Sequence, residues 1–321
     1  MFKIGNVEIK SRVVLAPMAG VTSLAYRNFM KPFGVGLTVT EMVSDCGLIY
    51  ENQKTIDYIK TSNLEKPVAI QLFGSDAETI IKAMKIVEEK NPNFDFFDIN
   101  LGCPVPKVTK AGSGSALLKN PAKLQEMFKK ICKSTTKPVT AKIRLGWSDD
   151  SINFLENIEA LEKAGIAAIG IHARTTSQLY SGKARYELLE NLRDKMSVPL
   201  IVSGDIYTLD EAIKAIKITK ADGVMVARGG VGNPRLVSQI NRYFDTGEIL
   251  PNSTLEENIN YLIEFAKMLI EEKGEIRAMS ILRGIAPKFL DGFPGMKPYK
   301  NMLAQSLTTF ESLKRIINQI I

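Results

Sequence analysis

The chain has 321 residues, 45% of them hydrophobic and 24% charged, and Lys and Arg (42) outnumber Asp and Glu (35) for a net charge of +7. This is an ordinary globular composition, with room for one large domain and a smaller one, and its basic balance is compatible with a polyanionic partner. The cysteines Cys46, Cys103 and Cys132 show neither a metal spacing nor a disulfide framework, so a reducing cytoplasm and no metal are expected. The opening Met1-Phe2-Lys3-Ile4-Gly5-Asn6 lacks the apolar stretch of a secretory leader, and no apolar run approaches ~20 residues, so no membrane span is expected.

Residues 2–9 alternate around Gly5-Asn6 and predict a small hairpin. Eight short apolar runs follow, at 13–18, 37–42, 68–73, 96–100, 139–144, 168–173, 200–203 and 223–227. Amphipathic stretches at 24–32, 77–89, 121–134, 152–164, 186–195, 209–217 and 234–243 predict intervening helices. Eight β-then-α units with near-continuous apolar strands predict an α/β fold, a closed parallel (β/α)8 TIM barrel. An open doubly wound sheet would need a glycine fingerprint after the first strand, and Pro17-Met18-Ala19-Gly20 is not one. The rhythm changes in the turn-rich segment 246–253. Beyond it, 255–272, 276–289 and 299–321 read as helices with no strand between them. Two domains are expected, a catalytic barrel over 1–248 and a small all-helical domain over 249–321. The second is too small to be very stable alone, so it should dock on the first.

In such barrels the carboxyl ends of the strands form the active site. Strand one delivers Pro17-Met18-Ala19, small groups that let a flat ligand approach. Strand three delivers Gln71. Strand four ends at Asn100 and breaks into Gly102-Cys103-Pro104, where proline cannot extend a ladder. A bland core cysteine would sit inside the strand rather than just after it, so Cys103 is a candidate functional thiol. Strand five carries Lys142 and Arg144. A lysine in an apolar strand needs either an ion pair low in the barrel or a ligand. Strand six ends with His172, the one histidine of the chain, beside Arg174; a structural and a catalytic role are both open. Gln71 is either a satisfied core amide or a ligand contact. Strands seven and eight end in Ser203-Gly204-Asp205 and Ala227-Arg228-Gly229-Gly230, and loops there commonly take phosphate through backbone N–H groups and an arginine. Phosphate at one edge, amides and a cation at the centre and a thiol opposite describe a site that flavin mononucleotide would fit.

The motifs Leu15-Ala16-Pro17-Met18-Ala19-Gly20, Thr40-Glu41-Met42, Gln71-Leu72-Phe73-Gly74, Asp98-Ile99-Asn100-Leu101-Gly102-Cys103-Pro104, Lys142-Ile143-Arg144-Leu145-Gly146, Ile171-His172-Ala173-Arg174-Thr175 and Gly204-Asp205-Ile206 occur in order along the chain. In this the chain resembles the bacterial tRNA-dihydrouridine synthases over essentially its whole length. The resemblance implies an FMN-dependent oxidoreductase that uses NADPH (or NADH) to reduce specific uridines of tRNA to 5,6-dihydrouridine. It implies that Pro17, Met18 and Ala19 line the flavin, Gln71 hydrogen-bonds it, Lys142 holds its ring and His172 lies beside it. Ser203, Gly204, Asp205, Ala227 and Arg228 would take the phosphate end. Cys103 would be the proton donor to C5 of the base, and Asn100, Arg144 and Arg174 would lie near base or flavin. Arg283 falls in the segment resembling the family's helical domain and is assigned to RNA; a monomer is expected. The chain has Ser203 where the family usually has asparagine, Ala227 where it often has glycine, and Lys288 where relatives often carry an aromatic residue. The rival readings are an FMN-dependent dehydrogenase of the dihydroorotate or dihydropyrimidine type, a synthase acting on ribosomal RNA, and an RNA-binding module without turnover.

Overall fold

The computed structural model describes residues 1–320. Phe2–Ile4 and Val7–Ile9 pair antiparallel as expected, with Phe2 opposite Ile9 and Ile4 opposite Val7. Eight parallel strands then close a barrel: Val13–Leu15 (β1), Leu37–Val39 (β2), Val68–Phe73 (β3), Phe96–Asn100 (β4), Val139–Arg144 (β5), Ala168–His172 (β6), Leu200–Ser203 (β7) and Gly223–Val226 (β8). Each pairs with its neighbours in chain order, and β8 returns to β1 through Val224 and Val13.

The period of two divides each strand between two apolar clusters. Outward residues such as Ile70, Leu72, Phe97, Ile99, Ile143, Ile171 and Val202 pack under the helices. Inward residues Val14, Leu37, Val39, Phe96 and Ile201 fill the lower barrel together with Ile4 and Ile9. The hairpin therefore stoppers the amino end of the barrel, and polar inward residues are left for the other end.

Three expectations change. The second strand stops at Val39, and Val43–Ser44 resumes pairing one step on, against Leu72 and Phe73. Its interruption has a cause in Thr40, whose hydroxyl accepts from Gln71 N (3.1 Å) and donates to Glu41 O (2.9 Å). The helix expected over 186–195 is two short 3-10 turns, Tyr186–Leu189 and Leu192–Lys195. Asn191 between them takes φ +52° and sends its N–H to Ile218 O (2.9 Å). The last expected helix is also two, Lys297–Ser306 and Phe310–Ile317; Thr309 is extended and caps the second through Ser312.

The carboxyl-terminal region is helical and packs on the helix Leu24–Met30. Phe265, on Leu255–Lys273, meets Tyr26 edge-on at 5.5 Å and Phe29 at 5.4 Å, and Phe289 lies 6.3 Å from Phe29. These residues belong to the same apolar cluster as the outer faces of the strands, so burial ties the tail to the barrel. Among the described residues no helix is long and apolar enough to cross a membrane.

Candidate active site

The polar inward residues collect in two tiers above the apolar floor. Asp98, Thr140 and Lys142 line a small interior void. Gln71, Asn100 and Cys103 stand toward the mouth on one side, His172, Ser203 and Ala227 on the other.

On the first side the side chains satisfy one another. Asp98 accepts from Thr140 Oγ1 and from Gln71 Nε2, both at 2.6 Å. Gln71 Oε1 accepts from Asn100 Nδ2 at 2.8 Å. Asn100 Oδ1 in turn accepts from the backbone N–H groups of Gly102 (3.1 Å) and Cys103 (2.8 Å). Ser115 closes the Cys103 loop from behind by donating its hydroxyl to Cys103 O (2.9 Å). Burial raises the Asp98 carboxyl above its ordinary range, and hydrogen bonds from Gln71 and Thr140 pull it back.

Lys142 is the exception among these groups. It stands opposite Gly170 in register, where a Cβ would make only ordinary contact with the lysine stem, 3.6 Å from Lys142 Cγ. No acceptor among the described residues lies within hydrogen-bond or ion-pair distance of its ammonium, which lines both the interior void and the cleft above. Burial, then the Arg144 charge, pushes Lys142 down to about 8, while Asp98 pulls it up.

The second side is a cleft of about 140 Å³. Its walls bring together Pro17, Met18, Lys142, His172, Ser203, Gly204, Asp205, Ala227 and Arg228 from five strand ends. Gly204 has φ +118°, and a Cβ there would lie 2.9 Å from His172 Cδ2, so glycine alone fits. Asp205 takes φ +50° and accepts Arg174 Nη2 at 2.6 Å and Ala184 N at 2.8 Å, which stiffens this wall. Arg228, half exposed at the rim, makes a long ion pair with Asp205 at 3.9 Å. His172 Nε2 lies 3.3 Å from Arg174 Nη1. Burial, then the charges of Lys142, Arg144, Arg174 and Arg228, hold His172 well below its ordinary range. It is a neutral imidazole whose Nε2 accepts from the arginine.

Some expected residues are placed elsewhere. Ala19 is exposed beyond the cleft wall, and half-buried Cys103 stands on the adjoining loop. Arg144 and Arg174 are each 1% exposed. Arg144 donates to the carbonyls of Gly102 (2.7 Å), Thr175 and Leu179 (both 2.8 Å), and Arg174 to Asp205 and Gly182 O (2.8 Å). These two guanidiniums hold the loops of the mouth. Arg283, in the tail, donates to Leu307 O (2.9 Å).

Sequence reasoning passed over Tyr180, an exposed aromatic in the loop after β6. Its ring centroid lies 5.1 Å from the Arg228 guanidinium, 5.4 Å from that of Arg144 and 6.2 Å from the His172 ring. A tyrosine in a Ser- and Gly-bearing loop directly after a functional strand end was the available signal. A groove of about 1010 Å³ continues from the cleft between the β7 and β8 loops and the tail, past Tyr207, Asn233, Lys288 and Phe293.

With this geometry in hand, comparison with known proteins is decisive. The profile of the Dihydrouridine synthase (Dus) family matches residues 14–320. The chain belongs to the dihydrouridine synthase family. It is thus an enzyme of that family. It is 35% identical to a protein of Rickettsia bellii named probable tRNA-dihydrouridine synthase, over 94% of this chain and 92% of that one. It is 33% identical to tRNA-dihydrouridine synthase B of Pasteurella multocida, over 90% of this chain and 87% of that one. Among solved structures, histamine dehydrogenase from Rhizobium sp. 4-9 superposes with a TM-score of 0.55 at 15% identity, covering 83% of this chain and 50% of that one, a likeness of fold. Family membership leaves the residue roles to the geometry of the mouth.

Proposed function

We propose that the protein is an FMN-dependent tRNA-dihydrouridine synthase that takes its electrons from NADPH. One observation carries the flavin: a lysine ammonium without a protein partner at the floor of a cleft whose far wall is a glycine-bearing, arginine-rimmed loop pair. A half-buried cation without a protein partner calls for an anionic ligand, and the pyrimidine edge of a reduced flavin is one. The residues present fit the group. Ser203, Gly204, Asp205, Ala227 and Arg228 would receive the phosphate end and Pro17 and Met18 the ring face, with Ala19 at its outer edge; Lys142 would meet the pyrimidine edge, with the second Nε2 hydrogen of buried Gln71 behind it.

FMN held there and reduced by NADPH would supply the hydride chemistry that saturates the 5,6 double bond of a uracil. Cys103 then delivers its Sγ proton to C5, completing the 5,6-dihydro product. Its place on a loop pinned by Asn100 and Ser115 holds the thiol at a set height above the mouth. Asn100 keeps that height, and Arg144 and Arg174 keep the rim closed. Extruding the base from its stack costs a few kcal/mol, least in a loop, which favours a uridine in a loop of folded tRNA. Exposed Lys107, Lys110 and Lys183 on the mouth loops, together with the groove beside Lys288 and the helical region 255–317 with Arg283, would grip the phosphates.

The test uses purified full-length protein with NADPH and either an unmodified tRNA transcript or free uridine, with dihydrouridine quantified by mass. A yellow protein that reduces the transcript and spares free uridine is expected. Reduction of the free pyrimidine instead would replace this reading by a dehydrogenase of the dihydroorotate type, and a protein that binds no flavin would end both.

A further inference from the structure

One buried carboxyl below the mouth decides which way two amides above it point. Asp98 faces the interior of β4, directly opposite Gln71 of β3 in register. It lies outside the cleft walls, beside Thr140 and Lys142 around the inner void. Gln71, Asp98 and Asn100 are all buried, so none of the three can exchange its bonds with bulk solvent.

We propose that Asp98 is a positioning residue, which sets the polarity of the chain Thr140–Asp98–Gln71–Asn100 and through it the orientation of the Gln71 amide and the seat of the Cys103 loop. The proposal deepens the flavin-site reading above and rests on it for the roles of Gln71 and Cys103.

Donor and acceptor parity fixes each link of the chain. The Asp98 oxygen facing Gln71 accepts, so Gln71 must turn Nε2 toward it (2.6 Å). Gln71 then shows Oε1 to Asn100, which must answer with Nδ2 (2.8 Å). Only Asn100 Oδ1 remains for the N–H groups of Gly102 and Cys103. Turning either amide over would set two acceptors or two donors face to face in a buried site. The direction therefore starts at the Asp98 carboxyl and ends at the loop that carries the thiol.

Three variants of the full chain test this, each read by the iodoacetamide alkylation rate of Cys103 (followed by peptide mass), FMN affinity and thermal midpoint. Asp98→Asn keeps the direction. The new side-chain oxygen takes the Gln71 N–H, the new amide donates to the Thr140 hydroxyl, and that hydroxyl turns to Phe97 O, already 3.4 Å away. Alkylation and FMN affinity within about twofold of the parent are expected. Asn100→Asp places a carboxylate oxygen against Gln71 Oε1, and an alkylation rate changed about tenfold, with a lower midpoint, is expected.

The double variant Asp98→Asn/Asn100→Asp reverses the chain with every bond remade. The amide at 98 now donates to Gln71 Oε1, and Gln71 Nε2 to the carboxylate at 100. Its alkylation rate and midpoint should return to within about twofold of the parent, while FMN affinity stays weakened because the Gln71 amide is turned over. A double variant no better than Asn100→Asp, an unaffected Asn100→Asp, or an Asp98→Asn as damaged as Asn100→Asp would each overturn the proposal. Loss of flavin from the parent itself would instead strike the flavin-site reading, because the alkylation and thermal arms need no flavin.

Discussion

The two sides of the barrel mouth are built on opposite plans. The side formed by β3 and β4 is a closed circuit in which Gln71, Asp98 and Asn100 consume one another's hydrogen bonds and leave a thiol at a set height. The side formed by β6, β7 and β8, with Lys142 of β5 at its floor, is a cavity framed by backbone, with a positive-φ glycine, a rim arginine and an ammonium that has no partner among the described residues. On the proposed reading the difference separates two tasks. A group that must meet one atom of a substrate gains from side chains with no alternative partner, whereas a phosphate end is best met by backbone N–H groups and a cation that stay unpaired until it arrives.

The contrast can be broken first at the thiol. Cys103→Ala should lower the single-turnover rate of RNA reduction by about a hundredfold or more, with flavin content and NADPH oxidation retained. A rate left unchanged would remove the thiol from the chemistry. On the cavity side, Arg174→Met leaves Asp205 without the bidentate partner that anchors its wall. A loss of about 3 kcal/mol in denaturant titration is expected, and a loss below about 1 kcal/mol would show the pair to be dispensable.

Lys142→Met should act in opposite directions on the two states of the protein. FMN affinity should fall about tenfold, and the flavin-free protein should gain about 1 kcal/mol, or about 2 °C, from losing an unpaired, half-buried cation. The pH dependence follows from the sign of the shift. Lys142 is about 8 in the fold and ~10.5 in the unfolded chain, so its cost to stability is full below pH 8 and fades as pH rises from 8 to ~10.5. The stability gap between parent and variant should narrow over that interval, and a constant gap would refute the assignment. Arg228→Ala, at the exposed rim, should weaken FMN only about fivefold and leave kcat unchanged. Last and smallest, Lys107→Ser with Lys110→Ser should flatten the slope of log affinity for tRNA against log salt by about 2. An unchanged slope would move the RNA off the Cys103 loop.

Much of this was readable from the chain. The eight apolar runs carry the barrel because parallel strands covered on both faces need continuous apolar sequence, and the mouth was found where charge interrupts those runs at Lys142, Arg144, His172 and Arg174. What escaped was local competition by side chains. Thr40 breaks β2 with its hydroxyl, and Asn191 bends a helical pattern by entering the left-handed region. The roles of Arg144 and Arg174 escaped for a related reason. A guanidinium at a strand end looks the same in sequence whether it faces a ligand or the carbonyls of its own loops.

Alternation along the strands was enough to say which side chains point inward at the carboxyl end, because the side-chain period of a strand is a local property of the backbone. Whether an inward group is used up or left free is not local. Gln71, Asp98, Asn100 and Thr140 come from three different strands and meet only when the barrel closes. That closure pairs all four and, among the described residues, leaves the Lys142 ammonium without a partner, which is the feature on which the proposed flavin site rests.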